Sequence, residues 1–141
     1  MSKITAAITA VGSYVPEYRL TNEILETMVD TNDEWITART GIKERRILKD
    51  ADKGASYLAI KAAENLIEKA GINPTDIDAV IVATATADMP VASTAVYVAT
   101  QIGAVNAFGY DLQAACSSFL YGMSSAAALV ETGRYKKVLL I

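Results

Sequence analysis

A nearly unbroken apolar run from Asp78 to Thr84 is the feature that most constrains the fold of this chain. Strands of a parallel sheet are covered by helices on both faces, so they lose the alternation of apolar and polar residues. Two further apolar segments, Ala107 to Leu112 and Lys137 to Ile141, follow stretches with helical spacing. We therefore predict a mostly parallel sheet with right-handed helical crossovers.

Glycines and capping residues mark the ends of the predicted helices, because glycine adopts the positive φ that ends a helix and serine or threonine caps its start. The predicted helices span Ser56–Ala70, Ser93 or Thr94 to Ile102, and Ser117–Thr132. The segment from Ile4 to Gly12 is predicted to be a first strand, since it is too short and too rich in threonine for a signal peptide. The result is a βαβαβα order and an α/β fold.

The only cysteine, Cys116, lies where a predicted strand meets the third predicted helix. Unpaired N–H groups and the positive end of the helix dipole favour a thiolate at such a position, and a thiolate is a strong nucleophile. A lone cysteine among alanines and serines is more often a small buried hydrophobe. On these residues alone, both interpretations of Cys116 stay open.

Three blocks of the sequence resemble a known family of condensing enzymes. They are Gly12–Pro16 (GSYVP), Thr31–Arg46 (TNDEWITARTGIKERR) and Asp111–Phe119 (DLQAACSSF). The chain resembles the N-terminal half of β-ketoacyl-acyl carrier protein synthase III, a thiolase-like acyltransferase that starts bacterial fatty acid synthesis. The resemblance implies a thiolase-like half, part of a five-layer αβαβα sandwich, with Cys116 as the catalytic nucleophile.

The chain contains no histidine, which excludes a self-contained hydrolase with a Cys–His pair. In the resembled family, the histidine and asparagine that complete the site lie in a second, similar half. We therefore expect residues 1–141 to be a single N-terminal half that carries the nucleophile but cannot condense substrates alone. The whole enzyme would condense a short acyl-coenzyme A primer with malonyl-acyl carrier protein through an acyl-cysteine.

A basic block follows the only tryptophan, Trp35: five of the thirteen cationic residues lie between Arg39 and Lys49. Basic groups bind phosphate and an indole can stack on a purine, although a solvated charged loop is the simpler interpretation of such a run. The resemblance implies that Thr31, Trp35 and Arg39 hold the nucleotide of coenzyme A. It also implies that Met89 shapes the primer pocket from across a dimer interface.

Composition limits the partners and cofactors of the chain. A formal charge of −3 argues against nucleic acid, a single cysteine suits a reducing cytoplasm, and no apolar run approaches the roughly 18 residues of a membrane span. The sequence lacks phosphate-loop, dinucleotide and Cys/His metal motifs. We expect no permanently bound cofactor and no metal, with the coenzyme A thioester as a substrate.

The predicted strand at Ala107–Leu112 bears on how copies of the protein associate, because the resemblance places it at the edge of the sheet. An apolar edge strand pairs readily with another strand, so we expect a homodimer in the whole enzyme. Hydrophobic residues make up 52% of the chain, as expected of a half that further protein covers. The isolated chain is therefore expected to self-associate.

Other functions remain open on the sequence. A relative with the same fold, such as a hydroxymethylglutaryl-coenzyme A synthase or a polyketide-type synthase, would share Cys116 but would match the block from Trp35 to Arg46 less closely. A non-catalytic coenzyme A-binding module would keep the basic block and would need no nucleophile.

Overall fold

A computed structural model describes residues 4–141, which form two compact units. The larger unit contains residues 4–14 and 54–141, and the smaller unit contains residues 15–53. Within the described range, no helix is both long and apolar enough to cross a membrane.

The smaller unit is built on a short antiparallel ribbon that the sequence did not indicate. Strands β1 (Arg19–Thr21) and β2 (Glu44–Arg46) pair with Leu20 opposite Arg45. Helices α1 (Asn22–Glu26) and α2 (Asp33–Thr40) lie between them in the chain.

Within residues 4–141, the larger unit contains a sheet of three strands, and these strands are parallel, as predicted. Strands β3 (Ala79–Ala83), β4 (Phe108–Leu112) and β5 (Val138–Leu140) lie in the order β4-β3-β5. The central strand β3 is almost fully buried, which accounts for its continuous apolar run. Strand β4 lies at the edge of the sheet, where the resemblance placed it.

Helices cover both faces of this sheet. They are α3 (Ala55–Ala70), α4 (Thr94–Gln101) and α5 (Ser118–Glu131). Val80, Val82 and Leu139 belong to one buried cluster with residues of α3 and α4. Leu140 points to the opposite face and touches Gly122 of α5, where an added Cβ would lie 2.5 Å from its Cδ1. The α/β fold class and the predicted helices are thus confirmed to within a residue or two at each end.

The prediction of a first strand from Ile4 to Gly12 is wrong, because residues 4–12 carry no strand. This segment bonds to a helix instead of a neighbouring strand. The Ser13 N–H donates to Asn65 Oδ1 at 3.2 Å and Lys69 Nζ donates to the Val11 carbonyl at 3.3 Å. Gly12 lies against α3 so closely that an added Cβ would come 2.6 Å from the Leu66 backbone nitrogen.

Candidate active site

Cys116 lies in a tight turn between β4 and α5. A single 3-10 turn, Ala115–Ser117, connects the two elements and leads directly into the first residue of the helix. Cys116 is exposed, which argues against the interpretation of this residue as a small buried hydrophobe. The sequence-based placement of a thiol at the start of a helix is borne out by this geometry.

The backbone next to Cys116 is strained. Ala115 has a φ of 46°, and it is the one non-glycine residue with positive φ that the described chain shows. Such a conformation costs an L-residue about 1–2 kcal/mol, and strained positions of this kind cluster at active sites.

A buried serine holds this strained turn in place. Ser118 is 2% exposed. Its hydroxyl accepts a hydrogen bond from the Ala114 N–H at 2.7 Å and donates one to the Ala115 carbonyl at 2.8 Å. The sequence did not predict this role for Ser118. A serine in the first turn after the cysteine was the available signal, and serine side chains commonly bond local backbone there.

The first turn of α5 leaves apolar residues exposed in the larger unit. Phe119, Leu120 and Tyr121 are each more than half exposed. They begin three residues after Cys116 in the chain.

Met89 and Cys116 follow strands that are neighbours in the sheet. The loop of residues 84–93 follows β3, and the cysteine turn follows β4. The last residues of these two strands, Ala83 and Leu112, are paired in the parallel register. Both segments therefore leave the sheet at its carboxyl edge, where ligands bind in many α/β proteins. Met89 is about half exposed in this loop.

In the smaller unit, Trp35 and Arg39 lie one helical turn apart on α2. Asn32 caps this helix by accepting a hydrogen bond from the Trp35 N–H at 2.8 Å. Because residues four apart share a helix face, the guanidinium of Arg39 reaches over the indole of Trp35, 4.4 Å from its centroid. Trp35 is half exposed.

A cavity of about 220 Å³ adjoins the indole and is lined by Asp30, Thr31, Asn32 and Trp35. The structure therefore brings together the three residues that the resemblance assigns to the nucleotide: Thr31 and Trp35 line the cavity, and Arg39 stacks on Trp35. An exposed indole with a cation on it can accept a flat aromatic base.

The other basic residues of the block are used inside the smaller unit. Arg46 Nε pairs with Glu44 at 3.2 Å, and Lys43 pairs with Asp33 at 3.0 Å. Arg45 donates to the amide oxygen of the buried Asn22. These cations hold the ribbon and helices together, whereas Arg39 lies over an exposed ring.

Asp33 has an unusually low pKa because several donors face its carboxylate. Hydrogen bonds from Asn22, then from Lys43 and Thr37, lower the pKa of Asp33 from 3.8 to about 2. The Asn22 amide lies 2.7 Å from Asp33 Oδ1. The carboxylate is thus a structural anchor in its charged form.

Residues 110–141, which contain Cys116, match the family described as 3-oxoacyl-[acyl-carrier-protein] synthase III. The chain is 56% identical over 141 residues to the β-ketoacyl-[acyl-carrier-protein] synthase III of Porphyromonas gingivalis, covering all of this chain and 42% of that protein. The chain thus spans less than half the length of the curated relatives it matches.

Two solved structures have the same fold. The 3-oxoacyl-[acyl-carrier-protein] synthase III of Aquifex aeolicus matches 99% of this chain and 44% of its own, with a TM-score of 0.89 and 40% identity. The priming β-ketosynthase of a polyketide biosynthetic pathway matches 98% of this chain and 41% of its own, with a TM-score of 0.92 and 37% identity.

Proposed function

We propose that this chain, which corresponds over its whole length to the N-terminal half of β-ketoacyl-acyl carrier protein synthase III, supplies the nucleophile of an initiating condensing enzyme. The observation that carries this proposal is the exposed Cys116, held on a strained turn at the carboxyl end of β4. The chain acts as a single thiolase-like half over residues 1–141, and its whole enzyme is an acyltransferase of fatty acid synthesis.

The first step is transfer of an acyl group to Cys116. The thiolate attacks the carbonyl carbon of a short acyl-coenzyme A, and the developing alkoxide accepts hydrogen bonds from backbone N–H groups of the turn. The tetrahedral intermediate collapses, the carbon–sulfur bond to coenzyme A breaks, and the coenzyme leaves as its thiolate. The acyl group then remains on the Cys116 sulfur.

The second step joins this acyl group to malonyl-acyl carrier protein. Loss of carbon dioxide gives a carbanion that attacks the acyl-cysteine, and the cysteine sulfur leaves with the bonding pair. The histidine that the resemblance implies for this step is not among these 141 residues. We therefore expect no condensation by the chain alone, which could at most be acylated.

Coenzyme A is the substrate that the smaller unit is suited to hold. The adenine would stack on the face of Trp35 that Arg39 leaves open, Thr31 would contact the nucleotide from the cavity wall, and Arg39 would bind phosphate. The thioester enters as a substrate, so no permanently bound cofactor or metal is required. Such an enzyme works in the cytoplasm, away from membranes and nucleic acid.

Met89 and β4 would act across a homodimer. The backbone groups on the outer side of edge strand β4 are open to another strand, and Phe108 at its start is 40% exposed. Pairing of two copies would extend the sheet through the dimer. Met89 would then shape the primer pocket, where its flexible side chain suits acyl groups of varied shape.

Incubation of the whole enzyme with acetyl-coenzyme A, followed by intact-mass analysis, tests the first step. We expect one acetyl group on the wild-type chain and none on Cys116→Ser, because serine needs a base to become a nucleophile. An acetylated Cys116→Ser variant would assign the label to another residue and contradict the proposal. A chain that binds coenzyme A but is never acylated would be a binding module.

A second condensing role is favoured by the match to the priming ketosynthase of a polyketide pathway. Both roles start with acylation of Cys116, and they differ in the carrier protein that delivers the malonyl group. Condensation assays of the whole enzyme with carrier proteins of the two kinds separate them.

A further inference from the structure

Helix α3 starts without a capping side chain of its own. Its N-cap residue is Gly54, which makes no side-chain hydrogen bond, and the helix runs for 16 residues. The first N–H groups of a helix have no partner within it, so they need one from outside. A carboxylate there also interacts favourably with the helix dipole.

Asp88, from the loop of residues 84–93, supplies that missing cap. The Ser56 N–H donates to the two carboxylate oxygens of Asp88 at 3.1 and 3.3 Å. Ser56 is 7% exposed, so its N–H has little access to water. The loop is thereby bound to a helix that lies 32 residues earlier in the chain.

Gly54 makes this approach possible. A Cβ added at residue 54 would clash with Oδ1 of Asp88 and lie 3.0 Å from its Cγ. A larger residue would push the carboxylate away from the Ser56 N–H. Gly54 and Asp88 therefore work as a matched pair.

A second carboxylate fixes the far end of the same loop. Asp111 of β4 accepts hydrogen bonds from the Ser93 hydroxyl at 3.1 Å, the Thr94 N–H at 2.8 Å and the Ala95 N–H at 2.7 Å. Between the two anchors lies the exposed stretch that begins with Met89. The loop is thus attached at both ends to elements of the same sheet-and-helix unit.

We propose that Asp88 is a positioning residue for primer selection: by capping α3, it fixes the loop that presents Met89 to the acyl chain. This inference rests on the proposed function, because Met89 selects a primer only if Cys116 is acylated. Asp88 acts through Met89 and does not touch the primer. Loosening the loop lets the Met89 side chain move, and the discrimination between straight and branched acyl groups falls.

Hydrogen exchange of the 141-residue chain tests the anchoring, without any need for activity. Asp88→Ala removes the acceptor, and Asp88→Asn keeps one. We expect Asp88→Ala to raise exchange in both the 84–93 loop and the first turn of α3 by about 5-fold, the effect of a lost helix cap, and Asp88→Asn to stay near wild type. Gly54→Ala, which leaves Asp88 in place but displaces its carboxylate, should match Asp88→Ala.

Competition between acetyl- and isobutyryl-coenzyme A for Cys116 of the whole enzyme, read by intact mass, tests the selectivity. Asp88→Ala should reduce the preference between the two acyl groups, which differ by two carbon atoms, by about 10-fold, the lower end of the discrimination that even one methylene can give, and Asp88→Asn should restore it. Unchanged exchange of the loop in Asp88→Ala overturns the anchoring. A loosened loop with an unchanged acyl ratio overturns the link to selectivity.

Failure of the proposed function gives a different result from failure of this inference. If neither thioester acylates the whole wild-type enzyme, the nucleophile assignment and the selectivity role of Asp88 are both wrong. The exchange experiment then still decides whether Asp88 fixes the loop.

Discussion

Replacing Asp111 with alanine should destabilise the larger unit more than any ordinary surface change. The substitution removes the acceptor of three hydrogen bonds, two of them from backbone N–H groups. Those N–H groups belong to Thr94 and Ala95, which are 3% and 0% exposed. A buried donor without a partner costs about 1–3 kcal/mol. With two such donors we expect a total loss of about 2–4 kcal/mol, at or above the upper end for a lost helix cap.

Urea unfolding followed by far-UV circular dichroism measures this loss from the shift of the midpoint at constant slope. Asp111→Asn keeps an oxygen acceptor and should recover about half of the free energy, since one amide oxygen serves the donors less well than a carboxylate. Glu131→Ala, at an exposed helix end, is the matched control and should change stability by less than about 0.5 kcal/mol. An Asp111→Ala variant as stable as that control would refute the reasoning that Asp111 holds the start of α4.

Three further predictions concern the other unusual positions. The Asp33 carboxyl should titrate by NMR with a pKa of about 2. Its contribution to stability is therefore complete above the usual pKa of 3.8 and is lost as the pH falls towards 2. Lys43→Met should raise the pKa of Asp33, and a pKa of 3.8 in the wild type would contradict the hydrogen-bond network. Gly12→Ala should lower the free energy of unfolding of the larger unit, measured in urea, by about 1–3 kcal/mol. The new Cβ would meet the backbone of α3, which cannot rotate away as a side chain can. Ala115→Gly should raise the free energy of unfolding by about 1 kcal/mol, because glycine adopts a positive φ without strain. Ala128→Gly, on the exposed face of α5, should instead lower it by about 1 kcal/mol. Equal effects of the two substitutions would show that Ala115 is not strained.

Local patterns were sufficient to predict most elements of the larger unit. Gly71, at a φ of 62°, ends α3 as the sequence predicted, and Ser93 caps α4 by accepting from the Val96 N–H. The central strand was evident from its continuous apolar run. These signals depend on residues close together in the chain, so a sequence can be searched for them directly.

Contacts between distant residues were not predictable in the same way. The segment from Ile4 to Gly12 has the composition of a strand, yet whether it becomes one depends on a partner with free backbone groups, and here α3 takes that place. The burial of Asn22 depends on Asp33 and Arg45, which are 11 and 23 residues away. The capping of α3 by Asp88 could likewise not be predicted from the sequence around Gly54, where the only local sign is the missing side chain.

The candidate site shows the same division between local and distant information. The position of Cys116 at a strand–helix junction and the spacing of Trp35 and Arg39 on one helix face follow from local sequence. The strain at Ala115 does not, since alanine is a poor choice for a positive φ and the reason for it lies in the bonds that Ser118 makes on both sides of the turn. Those bonds hold the backbone in a shape that it would otherwise leave, and the shape leaves the thiol exposed at the end of a parallel strand. A nucleophile has to be exposed and held in one position, because part of the substrate binding energy would otherwise be used to order a mobile turn.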